Sequence, residues 1–403
     1  MQKSRSIILI ILGVFLAGCT TIGPATQPAQ LGAQTLAENQ AEIPVLQATA
    51  IPTPTRIPTA VPTFTPTPGP TKTPAPATYF HFEAGFNPLT GLPVDNPANL
   101  NRRPVMVKVS NWPREGRPHA GLTGADIVFE YFIGHQMNRF LAVYYGDNAG
   151  EIGPVRSGRL VDAQLVNLYQ GILAYGNADP QVDEVLVEIL GERALAFNEL
   201  SCPAMCGEST HSATGVFANS QALTDHFRNI GVDNPPPDLR GMMFQPEPPV
   251  GDANGSLLHI EYADFSVMEW RYNDVESNYH LWMEAQTEDA LVLAPITDRN
   301  NNQPVTFDNV VVMYAEYIEY APSLHDILIQ DIQDYQPALL FRDGTLTYGT
   351  WRVPEPNRPI IFETPGGESL PFKPGNTWIV IVGMNSLTTQ PAGGEWEIYF
   401  DLP

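Results

Sequence analysis

Apolar positions along this chain fall mostly in short alternating or continuous runs, and only three segments show helical spacing. Pro104-Val-Met-Val-Lys-Val, Ala125-Asp-Ile-Val-Phe-Glu-Tyr-Phe and Phe140-Leu-Ala-Val-Tyr-Tyr read as strands. Leu160, Val161, Leu165 and Leu168 then recur at the spacing of one helix face. A second helix is predicted by Asp179 as N-cap, Pro180 in the first turn and Gly191 just past the end. A third runs from about Ser220 to Ile230 and stops at Gly231. Between Asn234 and Asp252, Pro235-Pro-Pro and Pro246-Glu-Pro-Pro are too proline-rich for a regular element. Beyond it the pattern is almost purely strand: Leu257–Tyr262, Val267–Tyr272, Tyr279–Ala285, Val310–Tyr320, Thr345–Arg352, Trp378–Val382 and Trp396–Phe400, with Asp343-Gly344 as a hairpin turn. The pattern predicts an α+β protein: a mixed α/β domain over residues 79–245, then a mostly antiparallel β domain over 246–403.

The N-terminus reads differently. Lys3 and Arg5 precede an apolar run, Ile7 to Leu16, that ends in Leu16-Ala-Gly-Cys19. A basic start, a short apolar segment and small residues describe a secretory signal over residues 1–18. The run is shorter than the roughly 20 apolar residues of a membrane span. Cysteine directly after Ala-Gly makes it a lipoprotein signal, so Cys19 is expected to carry a diacylglyceryl group and hold the mature chain to the extracytoplasmic face of the cell membrane. Residues 19–78 follow as a stalk that is nearly all Pro, Thr and Ala from Ile43 to Thr78. Such a segment cannot bury enough apolar surface to offset its ordering entropy. Proline biases it toward polyproline II, and its thirty-odd residues reach at most roughly 90 Å when extended.

Charge narrows the partners. The formal net charge of −23 argues against nucleic acid and against tight binding to anionic lipid surfaces. Arginine is nevertheless concentrated: Arg102, Arg103, Arg114, Arg117, Arg139, Arg156 and Arg159 lie within 58 residues. A concentration of this kind suits bidentate recognition of carboxylate or phosphate. It equally suits internal ion pairs with Glu115, Asp126, Glu130 and Asp162. Once Cys19 is lipidated, Cys202 and Cys206 remain, and outside the cytoplasm two nearby thiols usually pair. Free thiols, or a metal site completed by His211, are the alternatives, although two sulfurs and one imidazole fall short of four ligands.

Several ordered motifs carry a family resemblance. Asn87-Pro-Leu-Thr-Gly-Leu-Pro-Val, Arg103-Pro-Val-Met-Val, Gly121-Leu-Thr-Gly-Ala-Asp-Ile-Val-Phe-Glu, Asn138-Arg-Phe-Leu-Ala and Ile152-Gly-Pro-Val-Arg-Ser-Gly-Arg occur in turn. Asn309-Val-Val-Val, Gly349-Thr-Trp-Arg and Pro374-Gly-Asn-Thr-Trp-Ile continue the series. Together they resemble the YerB-like bacterial lipoproteins, a family defined by a domain of unknown function. The resemblance covers about Phe86 to Val382 and implies an anchored two-domain protein with no established catalytic activity. The chain departs from the family at Tyr175-Gly-Asn-Ala and at His211-Ser212, so no role is carried over to those positions.

The candidate chemistry centres on Gly153-Pro-Val-Arg156-Ser157-Gly-Arg159, a loop leading into a helix. Free backbone N–H groups and the positive helix end favour an anion there, and Arg156, Ser157 and Arg159 add donors. Glu130 is placed to orient an arginine or meet an amine, and Arg139 and His119 are candidates for the same pocket. The competing expectation has Ser157 capping the helix while the arginines pair with Glu130, Asp126 and Asp162. Ser157 as a nucleophile would need a base, and His119 and His211 are the candidates. No P-loop, hydrolase elbow or zinc-ligand motif is present, so neither cofactor nor metal is expected. Trp270, Tyr272, Tyr279, Trp282 and Trp378 read as core, or else as a glycan-stacking surface. These features favour an envelope binding or scaffold protein that recognises an anionic ligand, peptidoglycan or another wall polymer, or an envelope protein. An envelope hydrolase or transferase built on the Arg156-Ser157-Arg159 loop, or a solute-binding protein, is the alternative.

Overall fold

The computed structural model describes residues 77–207, 214–232, 236–286 and 291–402. The signal segment, Cys19, the stalk as far as residue 76 and His211 lie outside the described residues. From the N-terminal side come β1 (Val105–Ser110), β2 (Ile127–Gly134), β3 (Met137–Tyr144), α1 (Leu160–Leu168), β4 (Ile172–Tyr175), α2 (Pro180–Leu190), β5 (Ala194–Ala196) and α3 (Ser220–Asn229). The C-terminal side supplies β6 (Leu257–Ala263), β7 (Ser266–Asn273), β8 (Asn278–Gln286), β9 (Leu291–Pro295), β10 (Asn309–Ala315), β11 (Tyr317–Ala321) and β12 (Leu324–Ile327). After them come β13 (Gln336–Arg342), β14 (Thr345–Arg352), β15 (Ile361–Glu363), β16 (Thr377–Gly383), β17 (Leu387–Ala392) and β18 (Glu395–Tyr399). The described residues are thus mostly strand, and the α+β expectation holds only loosely. The three predicted helices form, but they cover one part of a sheet rather than making a balanced α/β layer. No helix among the described residues is long and apolar enough to cross a membrane.

The larger sheet runs β15-β14-β13-β10-β16-β2-β3-β1-β4-β5, and so takes strands from both sides of the proline-rich stretch. The joint is the parallel pairing of β2 with β16, in which Val128 faces Trp378 and Glu130 faces Val380. Both strands are buried throughout, which suits strands sandwiched on both faces. A second sheet, β9-β8-β7-β6-β18-β17, is antiparallel except where β6 lies parallel to β18. The two sheets meet in an aromatic core. Trp378 of β16 packs against Phe140 of β3, Trp270 of β7 and Phe307, with ring centroids 4.9, 5.0 and 5.2 Å away. Trp270, Tyr279 and Trp378 are therefore core rather than a glycan surface. Tyr272 and Trp282 are half-buried, and Arg271 already lies 3.9 Å over the Trp282 ring.

Local chemistry explains several boundaries. The β13–β14 hairpin turns at Asp343-Gly344, both with positive φ (51° and 70°), and pairs Arg342 with Thr345. That two-residue turn matches strand twist, and glycine takes its second place without strain. The predicted Val310–Tyr320 strand is divided at Glu316 into β10 and β11. Asp179 caps α2 by accepting from the Gln181 amide at 3.0 Å, as predicted. The proline-rich stretch is held by buried Arg342, which donates to the Gln245 and Pro246 carbonyls. Cys202 and Cys206 form a disulfide. So small a closed loop restrains little unfolded-chain entropy, and reduction is expected to cost about 2 kcal/mol at most. Urea midpoints with and without reductant would measure that cost.

Candidate functional site

The fold sorts the seven arginines between Arg102 and Arg159 into three groups. Arg102 is buried and donates to the Tyr145 and Asp147 carbonyls and to Asn148, while Arg103 donates to the carbonyls of Gln170 and Val232. Arg114 and Arg117 lie beside Glu284 of β8, at 3.6 and 2.8 Å, and both stack on Trp112. Arg139, Arg156 and Arg159 form the third group. Among the described residues, none of these three is within salt-bridge distance of a carboxylate. The expected internal pairs with Glu130 and Asp126 do not form.

The loop carrying Arg156 and Arg159 is stitched into the sheet. Ser110 N donates to the Pro154 carbonyl and Arg156 N to the Lys108 carbonyl, each at 2.8 Å, so the loop takes up the edge of β1 where β4 has ended. On its other side Gly176 N donates to the Arg156 carbonyl, and Gly158 N to the Asn177 carbonyl. Gly153 opens the loop at φ 151°, where a Cβ would sit 2.8 Å from the Val155 amide. The chain then enters α1 at the carboxyl ends of β1 and β4, the edge where open sheets commonly bind ligands.

Three side chains converge there. Arg139 is only 8% exposed and donates from Nη1 to the Ser157 carbonyl at 3.0 Å. Arg159 donates to the Gly158 carbonyl, and Arg156 is half-buried. The Nε of each of the three is buried without a hydrogen-bond partner. Burial and the neighbouring Arg159 and Arg156 charges push the Arg139 pKa well below its ordinary value. Beneath them, Asp162 of α1 accepts from the Arg159 amide at 2.7 Å and pairs with Lys108 at 3.2 Å, and Tyr131 bonds to both. Asp162, in the first turn of α1, thus closes the helix start by accepting from the amide of the N-cap residue Arg159. Ser157 does not: its hydroxyl donates to Asn177 Oδ1 at 2.5 Å.

Strand register decides which predicted residues belong. Tyr131 faces Arg139 and Ser110 faces Arg139, so Lys108, Ser110, Tyr131 and Arg139 share the face covered by α1. Glu130 faces Phe140 and points the other way, between the sheets. There it accepts from Asn138 at 2.6 Å, Trp378 at 2.7 Å and Tyr262 at 3.0 Å, while burial pushes its pKa up to about 7. His119 also lies on that second face, 5.4 Å from the Phe140 ring, with Nε2 2.9 Å from the Ser110 carbonyl. Burial lowers its pKa to about 3. Glu130 therefore orients no arginine here, and His119 is no base for Ser157. Sequence reasoning missed Lys108, Tyr131 and Asn177. A lysine inside an apolar strand, Val107-Lys108-Val109, was the signal that marked the first of them.

Two cavities lie outside this cluster. One of about 640 Å³ is bordered by Trp112, Arg114, Arg117, Glu284 and Pro295. The other, of about 470 Å³, is bordered by Phe132, His135, Glu319, Pro322 and His325. The charge of Arg159 reaches His325 and helps to lower its pKa, after burial.

Comparison with known proteins agrees with this architecture. Residues 89–231 match the family described as "Protein of unknown function (DUF3048) N-terminal domain", and residues 258–379 match its C-terminal domain. The "Putative lipoprotein YerB" of Bacillus subtilis (strain 168) is 29% identical over 304 residues, covering 73% of this chain and 85% of that protein. The crystal structure of the YerB protein from Bacillus subtilis aligns with a TM-score of 0.57 at 25% identity, covering 74% of this chain and 96% of that one. The chain belongs to the YerB-like family of DUF3048 proteins.

Proposed function

We propose that this chain is a lipid-anchored protein of the extracytoplasmic membrane face that binds an anionic component of the cell envelope through Arg139, Arg156 and Arg159. The observation that carries the reading is three guanidinium groups, without a carboxylate partner among the described residues, gathered at the N-terminal end of α1. A helix N-terminus is the positive end of its dipole, so cations there cost free energy rather than contribute it. The three arginines repel one another at that end, and their carbonyl contacts and the Asp162 charge offset that repulsion only in part, so an anion would relieve both repulsions. The lipoprotein signal before Cys19 and the similarity to a relative named as a lipoprotein support the anchor. The Pro/Thr-rich stalk supplies reach into the envelope.

Native mass spectrometry of the full-length protein with muropeptides and wall-polymer fragments tests the reading. A bound species is expected, and the double variant Arg156→Gln/Arg159→Gln should weaken it about a hundredfold or more. The same variant should be as stable as the parent or more stable by a few tenths of a kcal/mol, because like charges are removed from a helix N-terminus. Unchanged binding together with a loss of about 2 kcal/mol or more, the pattern of arginines that hold the fold together, would sink the idea.

A further inference from the structure

We propose that the anion held at this site is a tetrahedral phosphate group carrying two negative charges, as in a phosphate monoester, rather than a carboxylate. The proposal rests on the anion-binding reading above and gives it a chemical class.

Geometry comes first. The three unpartnered Nε–H groups belong to side chains rooted at separate places, Arg139 on β3 and Arg156 and Arg159 on the loop. One planar carboxylate is satisfied by a single guanidinium fork. Donors arriving from several directions suit an anion whose acceptor oxygens point along tetrahedral directions. Charge agrees with shape. Asp162 is the carboxylate beneath the cluster, and it is already engaged by Lys108, Tyr131 and the Arg159 amide. The three guanidinium groups exceed Asp162 by two positive charges, and Lys108 and Asp179, whose charge also reaches Arg159, offset one another in that count. A single carboxylate would leave part of that repulsion in place, whereas a dianion cancels it. The Nε atoms themselves are buried, but Arg156, Ser157 and Arg159 are partly exposed and Asn177 is exposed, so a phosphate carried on a larger molecule approaches the cluster from that side.

Lys108 supplies a second readout. It is fully buried behind the arginines, faces Tyr131 and Asp162, and is held down to about 7 by burial and by the Arg139 and Arg159 charges. A dianion in front of those arginines offsets their charge and draws a proton onto Lys108.

The test is calorimetric titration of the full-length protein at constant ionic strength and pH 7.5. The probes are sulfate, inorganic phosphate, glycerol 3-phosphate and succinate, a dianion of the wrong shape. The tetrahedral dianions are expected to bind at least about tenfold more tightly than succinate, and Arg156→Gln to weaken them at least about tenfold. Sulfate does not titrate near neutrality, so its binding, measured in two buffers of different ionisation enthalpy, should show uptake of a fraction of a proton that Lys108→Met removes. Glycerol 3-phosphate tighter than inorganic phosphate supports an esterified source, and the reverse order supports free phosphate. Capture by phosphatidic acid vesicles but not by phosphatidylcholine vesicles, lost in Arg156→Gln, supports a lipid headgroup. If succinate binds as well as sulfate and depends equally on Arg156, the anion site stands and the phosphate assignment falls. If no probe depends on Arg156 or Arg159, both readings fall.

Discussion

Replacing Glu130 by alanine is expected to destabilise the fold by about 3–5 kcal/mol. Glu130 is fully buried where the larger sheet meets the smaller one, and it accepts from Asn138, Tyr262 and Trp378. Alanine leaves the Tyr262 and Trp378 donors without an acceptor and the Asn138 amide with only the Met268 sulfur, and each stranded donor costs about 1–3 kcal/mol. It also opens a void beside Trp378, the ring that joins Phe140 to Trp270 and Phe307. The urea midpoint is the direct measurement, and a shift equivalent to less than about 1 kcal/mol would show that the network carries little.

Glu130 also predicts the direction of a pH effect. Its folded-state pKa of about 7 lies above the ordinary 4.5, so the native chain holds this proton more tightly than the unfolded one. The stability it contributes is complete below about pH 4.5, falls as pH rises toward 7, and is flat beyond that. Glu130→Gln cannot titrate. Its stability should therefore fall less than that of the parent between pH 5 and 7, and equal slopes over that range would contradict the assignment.

The second large effect is expected at Asp162. Asp162→Ala removes the carboxylate that pairs with Lys108 inside the sheet and caps α1 through the Arg159 amide. At pH 6 the expected loss is about 3–5 kcal/mol, of which the cap accounts for about 1 kcal/mol. Lys108, held down to about 7, would be left buried beside Arg139 and Arg159 with no negative charge to offset them. A lysine lowered in this way destabilises the fold fully below its folded pKa, and the penalty lifts as pH rises toward 10.5. Asp162 raises the Lys108 pKa, so its loss lowers that pKa further, and the deficit of Asp162→Ala should widen as pH falls below about 7. Adding Lys108→Met should recover most of the loss, because removing both members of a buried pair is often close to neutral. Failure of the double variant to recover would place the role of Asp162 in the cap and in Tyr131 rather than in the lysine.

Much of the secondary structure was legible because it depends on local chemistry. Asp179 and Pro180 fix the start of α2, and Asp343-Gly344 turns the β13–β14 hairpin. The strands Val105–Ser110 and Ile127–Gly134 announce themselves by continuous apolar runs. Such runs carry no alternation, however, and so do not say which face each polar residue takes. Glu130 and Arg139 were grouped because both are charged and close in sequence, yet they lie on opposite faces of one sheet. The partition of arginines was equally hidden, since Glu284, which takes Arg117, comes from a strand 167 residues away.

The sequence by itself determined the three helices, most of the strands and membership of the family, and it set the lipoprotein signal before Cys19 and the Pro/Thr-rich stalk as expectations. All of these rest on composition, short-range caps and ordered motifs. Only the tertiary structure decided that Arg139, Arg156 and Arg159 meet with no carboxylate at salt-bridge distance and that Asp162, not Ser157, takes the amide at the start of α1. It alone set Glu130 into the core against a tryptophan 248 positions away. The physical reason is register: side chains alternate at every residue of a strand, so the face each one takes is fixed by pairings with strands far away in the chain.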